Sequence, residues 1–280
     1  MDSPSPTFLP PRLRWSCQTD RGKVRKNNED AFLAMQFDAE EVRYLGRSGE
    51  DSTERADFVF AVSDGMGGAK AGELASRVTV DQMTKCLPKA FKQSALGLNA
   101  GVDDVLAELF EQIHRQLLLL SASYEECAGM GATLTIGWFT PQFLYFAHIG
   151  DSRLYYLSAN EGGMRQITED DTHVGWLFRQ GQINEREARS HPRRTVLQKA
   201  LGAGHQFIQP QVGAVTYEKG DLFLLASDGL IDGLFDEQIL QRLRSPDATE
   251  IILPPADRLL AASLERSGRD NSTALVIEVF

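Results

Sequence analysis

Two apolar runs in this chain end in the same three residues. Phe58-Val59-Phe60-Ala61-Val62 leads into Ser63-Asp64-Gly65, and Leu222-Phe223-Leu224-Leu225-Ala226 leads into Ser227-Asp228-Gly229. Unbroken hydrophobicity over five residues reads as strands buried on both faces, which requires packed layers on either side of a sheet. Each run carries a carboxylate from a dry interior to a turn, where the following glycine lets the backbone fold sharply away. A third aspartate comes from the opposite direction, since Asp270-Asn271 precedes the apolar run Ala274-Leu275-Val276-Ile277. A carboxylate in such a place is costly to desolvate without a partner charge. Asp64 and Asp228 have no basic neighbour in sequence. Three strand-end aspartates therefore point to a multivalent cation.

The bulk numbers narrow the class. A chain of 280 residues with 42% hydrophobic and 24% charged residues can bury a large core as a globular enzyme. Its net charge of −10 argues against nucleic acid as a partner. Cys17, Cys86 and Cys127 are scattered and odd in number, with no zinc spacing, so they read as buried thiols in a reducing compartment. No apolar stretch reaches the length of a membrane span. Residues 1–12 hold four prolines among the first eleven residues and lack the order of a signal peptide, so they read as a disordered tail on a cytoplasmic protein. No dimerisation signal is visible, and a monomer is the default expectation.

Along the chain, Leu13–Thr19 and Ala31–Phe37 read as strands, and Asp38–Asp57 as a polar loop. A helix follows the glycine-rich turn Gly65-Met66-Gly67-Gly68, with Leu74, Ala75 and Val78 facing inward. A second helix carries the stripe Val102, Leu106, Leu109, Ile113, Leu117 and Leu120. Strands over Ala132–Phe139, Phe143–Ile149 and Leu154–Leu157 have links short enough for antiparallel hairpins, and Val212–Tyr217 with Leu222–Ala226 suggests another. Residues 168–201 are polar and weakly periodic, the mark of a functional flap. A short helix around Ile239 and a longer one from Pro254-Pro255 to Gly268 precede the last strand. The class is α+β, with helices packed outside sheets.

Oxygen donors without clustered His or thiolate favour Mg²⁺ or Mn²⁺ over Zn²⁺ or Cu²⁺. Neither a calcium-hand loop nor a Walker-type phosphate loop is present. Further acidic signals join the first three: Asn28-Glu29-Asp30 after Arg25, Gly150-Asp151-Ser152-Arg153 at a strand turn, and Asp232 four residues after Asp228.

Taken in order, these pieces resemble the metal-dependent protein phosphatases, the type 2C serine/threonine phosphatase family, in their compact bacterial form. The stretches are Thr19-Asp20-Arg21-Gly22 through Arg25 to Asp30, Val62 to Gly68 with Gly72-Glu73, and Gly129 to Leu134. Gly150 to Arg153, His191-Pro192 with Ala200-Leu201-Gly202, Ser227 to Leu230 with Asp232, and Asp270-Asn271 with Thr273 complete the set. The likeness runs from residue 13 to 280, as one catalytic domain.

The resemblance implies a four-layer αββα sandwich, two antiparallel sheets flanked by helix pairs, with metals in a cleft at one end. It implies that Asp64 bridges two Mg²⁺ or Mn²⁺ ions, with the Gly65 carbonyl on one and Asp228 and Asp270 on the other. Glu29 and Asp30 would ligate or hold water nearby, and Asp151 and Asp232, with Asp228, match a weaker third site. Arg25 matches an arginine that grips phosphate, for which a planar fork suits better than lysine. The implied reaction is one-step hydrolysis of phosphoserine or phosphothreonine by a metal-activated water, opposing a serine/threonine kinase. Met66 departs from relatives that place a histidine there, so the leaving-group proton donor is not identified by the sequence. A catalytically dead phosphoprotein binder and a small-molecule phosphomonoesterase are the alternatives.

Overall fold

A computed structural model describes residues 10–38, 40–95, 101–205 and 207–280. In chain order the first elements are β1 (Arg12–Asp20), β2 (Asp30–Phe37), β3 (Val42–Tyr44), β4 (Ser48–Ser52), β5 (Asp57–Met66), α1 (Ala69–Ala95) and α2 (Val102–Ser123). There follow β6 (Gly131–Ala132), β7 (Leu134–Phe139), β8 (Phe143–Ile149), β9 (Arg153–Leu157), β10 (Arg165–Gln166), α3 (His173–Arg179), α4 (Glu185–Ser190) and β11 (Leu201–Gly202). The last third holds β12 (Gln211–Thr216), β13 (Leu222–Ala226), α5 (Asp228–Gly233), α6 (Asp236–Arg244), α7 (Pro255–Arg266) and β14 (Ser272–Val279).

Two antiparallel sheets stack. One has the order β10-β9-β13-β14-β1-β4; the other runs β11-β6-β5-β7-β8-β12, with β2 pairing β5 and β3. The doubly buried runs divide their side chains by parity. On β5, Phe58, Phe60 and Val62 enter the layer between the sheets, while Val59 and Ala61 meet α1 and α2. On β13, Phe223 and Leu225 enter the same layer, while Leu222, Leu224 and Ala226 meet α5, α6 and α7. Each of the buried Val, Leu and Phe side chains contributes about 1.5–3 kcal/mol. The result is the four-layer αββα sandwich.

Several connections differ from the sequence reading. The polar stretch 38–57 is not all loop: β3 and β4 are edge strands, whose exposed faces explain their polar composition. The links Ile149–Arg153 and Thr216–Leu222 do not close hairpins. Each carries the chain from one sheet to the other, β8 pairing β7 and β12 while β9 and β13 pair each other. Leu74 is 39% exposed on α1, whereas Ala75 is fully buried. Residues 1–9 of the expected tail lie outside the described residues; Pro11 already accepts hydrogen bonds from the Thr53 amide and hydroxyl. Residues 168–201 carry α3 and α4. Among the described residues no helix is long and apolar enough to cross a membrane.

Candidate metal centre

Parity fixes where Asp64 points. Phe58, Phe60 and Val62 lie in the middle layer, so Asp64, next in that alternation, lies at its end. The register of β2 against β5 sets Asp30 directly opposite Asp64. Like charges in that relation repel. Asp30 Oδ2 accepts hydrogen bonds from the Ser227 hydroxyl at 2.7 Å and the Thr273 hydroxyl at 2.6 Å, both from the other sheet's strand ends. One buried carboxylate thus ties the two sheets together. Its Oδ1 is buried with no hydrogen-bond partner among the described residues, and the same holds for Asp228 Oδ1.

Close backbone approaches bring the other groups in. A Cβ on Gly229 would lie 2.0 Å from the Asn271 carbonyl oxygen, so only glycine lets α5 press Asp228 against the chain beside Asp270. A Cβ on Gly65 would lie 1.9 Å from the Gly72 carbonyl oxygen, which requires glycine where β5 turns into α1. The Gly65 amide donates to the Glu29 carbonyl at 3.1 Å. The Asp64 amide donates to the Thr133 hydroxyl at 2.9 Å, which is itself 2.8 Å from the Ser152 hydroxyl.

These elements surround a cleft of ≈520 Å³ that Glu29, Asp64, Gly65, Asp151, Asp228 and Asp270 line together with Arg25 and Met66. Asp30 stands behind this wall. Asp232 lines an adjoining cavity of ≈330 Å³, which Asp151 and Asp228 also line. Two of the expected ligands carry arginines. Arg25 Nη2 donates to Asp270 Oδ2 at 2.7 Å, and Arg194 pairs with Asp232. Among the described residues Asp64 and Asp228 enter no ion pair.

Burial and mutual repulsion dominate the electrostatics. Burial, then the neighbouring carboxylates Asp30, Asp228, Asp151 and Asp270, push Asp64 well above the ordinary range. Burial and then Asp151, Asp270, Asp232 and Asp30 do the same to Asp228. Burial, with Asp170 second, pushes Asp151 up to about 7. Burial raises Asp30 to about 6 against the opposing hydroxyl hydrogen bonds. Burial also raises Glu29, while Arg25 opposes the shift.

Orphaned oxygens, crowded carboxylates and an all-oxygen donor set suit a hard divalent cation. Among the described residues no three carboxylates, imidazoles or thiolates form a tight preassembled chelate.

Some supporting residues carried no assigned role in the sequence reading. Asn271 accepts from the Glu29 amide at 2.8 Å and donates to the Arg21 and Asn27 carbonyls at 2.9 Å each, holding the β1–β2 connection. Asp171 takes the Gly150 amide at 3.1 Å and Lys199 Nζ at 3.1 Å, anchoring residues 168–201 beside Asp151. His148 is fully buried, 2.8 Å from the Thr135 hydroxyl and 3.1 Å from the Gly150 carbonyl. It is a structural side chain, as is His114, which accepts from the Gly202 amide.

The profile of the family Protein phosphatase 2C matches residues 47–267. The chain is 35% identical over 270 residues to the serine/threonine protein phosphatase PstP of Mycobacterium tuberculosis, covering 95% of this chain and 45% of that one. It therefore spans less than half the length of that relative. A crystal structure of the PstP catalytic domain in complex with two manganese ions has 31% identity and a TM-score of 0.73, covering 96% of this chain and 99% of that one. The S. agalactiae serine/threonine phosphatase structure has 26% identity and a TM-score of 0.76, covering 96% and 100%. With the sandwich, the cleft and the profile in agreement, the chain belongs to the protein phosphatase 2C family.

Proposed function

We propose that this chain is a protein-serine/threonine phosphatase that hydrolyses phosphoserine and phosphothreonine with divalent cations, Mg²⁺ or Mn²⁺, held in the cleft. The observation that carries the reading is the convergence of Asp64, Asp228 and Asp270, from three separate strand ends, on one cleft with Arg25. Family membership and the phosphatase names of its relatives support it. A pair of bound divalent cations supplies a lowered water pKa and charge neutralisation of the phosphoryl group.

On this reading Asp64, the Gly65 carbonyl, Asp228 and Asp270 would hold the core ions. Glu29 and Asp30 would orient water nearby, and Asp151 and Asp232 with Asp228 would hold a weaker third ion. Arg25 serves the phosphate. It donates to Asp270 through Nη2, and a guanidinium has five N–H donors, so another edge can face the substrate. The Thr133 hydroxyl accepts the Asp64 amide and shares a hydrogen with Ser152, which makes it a strut rather than a nucleophile. Water then attacks phosphorus directly, without a phosphoenzyme. Met66, at the cleft wall, has no proton to give the leaving alkoxide.

Residues 13–280 act as one catalytic domain, with 168–201 a flap beside the cleft. The substrates are phosphorylated proteins, set against a cognate serine/threonine kinase, and the chain works as a monomer in the cytoplasm. Cys17 and Cys127, buried free thiols, accord with a reducing compartment. Turnover of an aryl phosphate and of a phosphothreonine peptide, with Mn²⁺ and with chelator, tests the reading. Cation-dependent hydrolysis that favours the peptide is expected. Absence of cation-dependent turnover of either compound refutes it, and turnover of the small ester alone moves the chain to a different substrate class.

A further inference from the structure

The geometry points to a second subsite: the cavity under α3 and α4 receives an apolar side chain flanking the phosphorylated residue of the substrate. The inference rests on the phosphatase reading and narrows the substrate class to phosphopeptides with a bulky apolar neighbour.

The cavity measures ≈330 Å³, about ten times the ~30 Å³ share of one water. Asp151, Thr195 and Asp228 line both it and the central cleft. A peptide whose phosphate sits in the cleft therefore has this cavity as its immediate neighbour. Val174 and Phe178 of α3, Ala188 of α4 and Ile231 of α5 supply its apolar wall.

The arginines of the same wall are all committed to carboxylates. Arg153 pairs with Asp170 at 2.8 Å, Arg179 with Glu169 at 3.1 Å, Arg189 with Glu185 at 2.9 Å, and Arg194 with Asp232. Asp236 accepts the Tyr155 hydroxyl at 3.2 Å. An anionic side chain entering here meets no uncommitted guanidinium among the described residues. A cationic one competes with metal for Asp151 and Asp228. With the arginines paired and Asp151 and Asp228 assigned to metal on the proposed reading, the apolar wall is left for the substrate, and burying apolar surface there is favourable. Trp176 and Val196, 43% and 53% exposed, extend apolar surface along the same segment.

The test uses the full chain with Mn²⁺ and phosphothreonine peptides in which Leu, Ala, Asp or Lys is placed at each of three positions on either side of the phosphoresidue. At one position Leu is expected to exceed Ala about 10-fold or more in kcat/KM. The substitution Phe178→Ala, at a partly exposed place, should shrink that advantage toward unity, and Ile231→Ala should do the same. A flat profile, a preference for Asp or Lys, or a Leu advantage that survives both substitutions overturns the subsite. Hydrolysis of an aryl phosphate by the unmodified chain separates the two levels. If it proceeds while the peptide profile is flat, only the subsite is lost; if it fails, the phosphatase reading is lost and the subsite with it.

Discussion

Asp30 and Asp64 stand directly opposite each other on adjacent strands, with Asp30 held from behind by hydroxyls of the other sheet. A buried and a half-buried carboxylate in that relation destabilise the strands that carry them. A divalent cation converts the repulsion into attraction, so the fold stores a cost that the ligand removes. The substitution Asp64→Asn should then separate stability from function. Chelator-treated Asp64→Asn is expected to melt at or above the temperature of the chelator-treated parent. Its Mn²⁺-dependent turnover should fall by more than the ~10–100-fold typical of losing an outer partner of a metal ligand. Thermal melts and aryl phosphate kinetics on the same preparations check both halves.

The raised carboxylates predict how the metal-free chain responds to pH. Asp30 is pushed up to about 6 and Asp151 to about 7, so between their ordinary value of 3.8 and these values the folded chain binds more protons than the unfolded one. Stability from these groups is therefore greatest below pH 4 and is lost as pH rises toward 7. In chelator the melting temperature should fall across that window relative to an Asp30→Asn, Asp151→Asn variant. Excess Mn²⁺ at pH 7 should restore much of the loss, because a ligand bound only by the folded state stabilises it.

Arg25 donates to Asp270 and lines the cleft proposed to take phosphate, so its removal should pull two affinities apart. In Arg25→Ala the phosphate loses a charge-assisted donor, worth about 1.5–3 kcal/mol. Inhibition by inorganic phosphate should weaken correspondingly, by roughly 10- to 150-fold. Asp270 at the same time loses the cation that competes for its Oδ2, so Mn²⁺ affinity by calorimetry should hold or rise. A fall in both affinities would show that Arg25 instead assembles the cleft.

Much of this architecture is legible in the chain because strand parity is short-ranged. The runs ending at Asp64 and Asp228 announce doubly buried strands, and their alternation places the site at one end of the middle layer. The crossings between sheets are not legible in the same way. Tyr217–Asp221 is short enough for a hairpin, yet it spans the ~10 Å between stacked sheets rather than the ~4.8 Å between neighbouring strands. Buried Asp221 fixes that crossing by taking the Glu218 and Ala159 amides and the Tyr156 hydroxyl. No local pattern marks such a residue. Arg25–Asp270 and Arg194–Asp232 were equally hidden, because the partners are separated by 245 and 38 positions. An ion pair of that separation is set by the fold, not by spacing.

Asn271 shows how a residue beside a proposed ligand, Asp270, can matter more than its polarity suggests. Its amide is 3% exposed and satisfies three backbone groups of the segment that carries Arg25 and Glu29. In Asn271→Ala the Glu29 amide and two carbonyls lose their partner, and leaving a buried group unsatisfied costs about 1–3 kcal/mol. Chemical denaturation in chelator should register a loss of that order. Phosphate and Mn²⁺ should both bind more weakly, since Arg25 and Glu29 depend on the same clamp. Asn271→Asp distinguishes the two amide functions. It keeps the acceptor for Glu29 while removing the donors to Arg21 and Asn27, and it adds a carboxylate beside Asp270. If the clamp acts through its donors, Asn271→Asp will lose stability as Asn271→Ala does. Full parental stability in Asn271→Asp would assign the hold on this segment to the Glu29 amide alone.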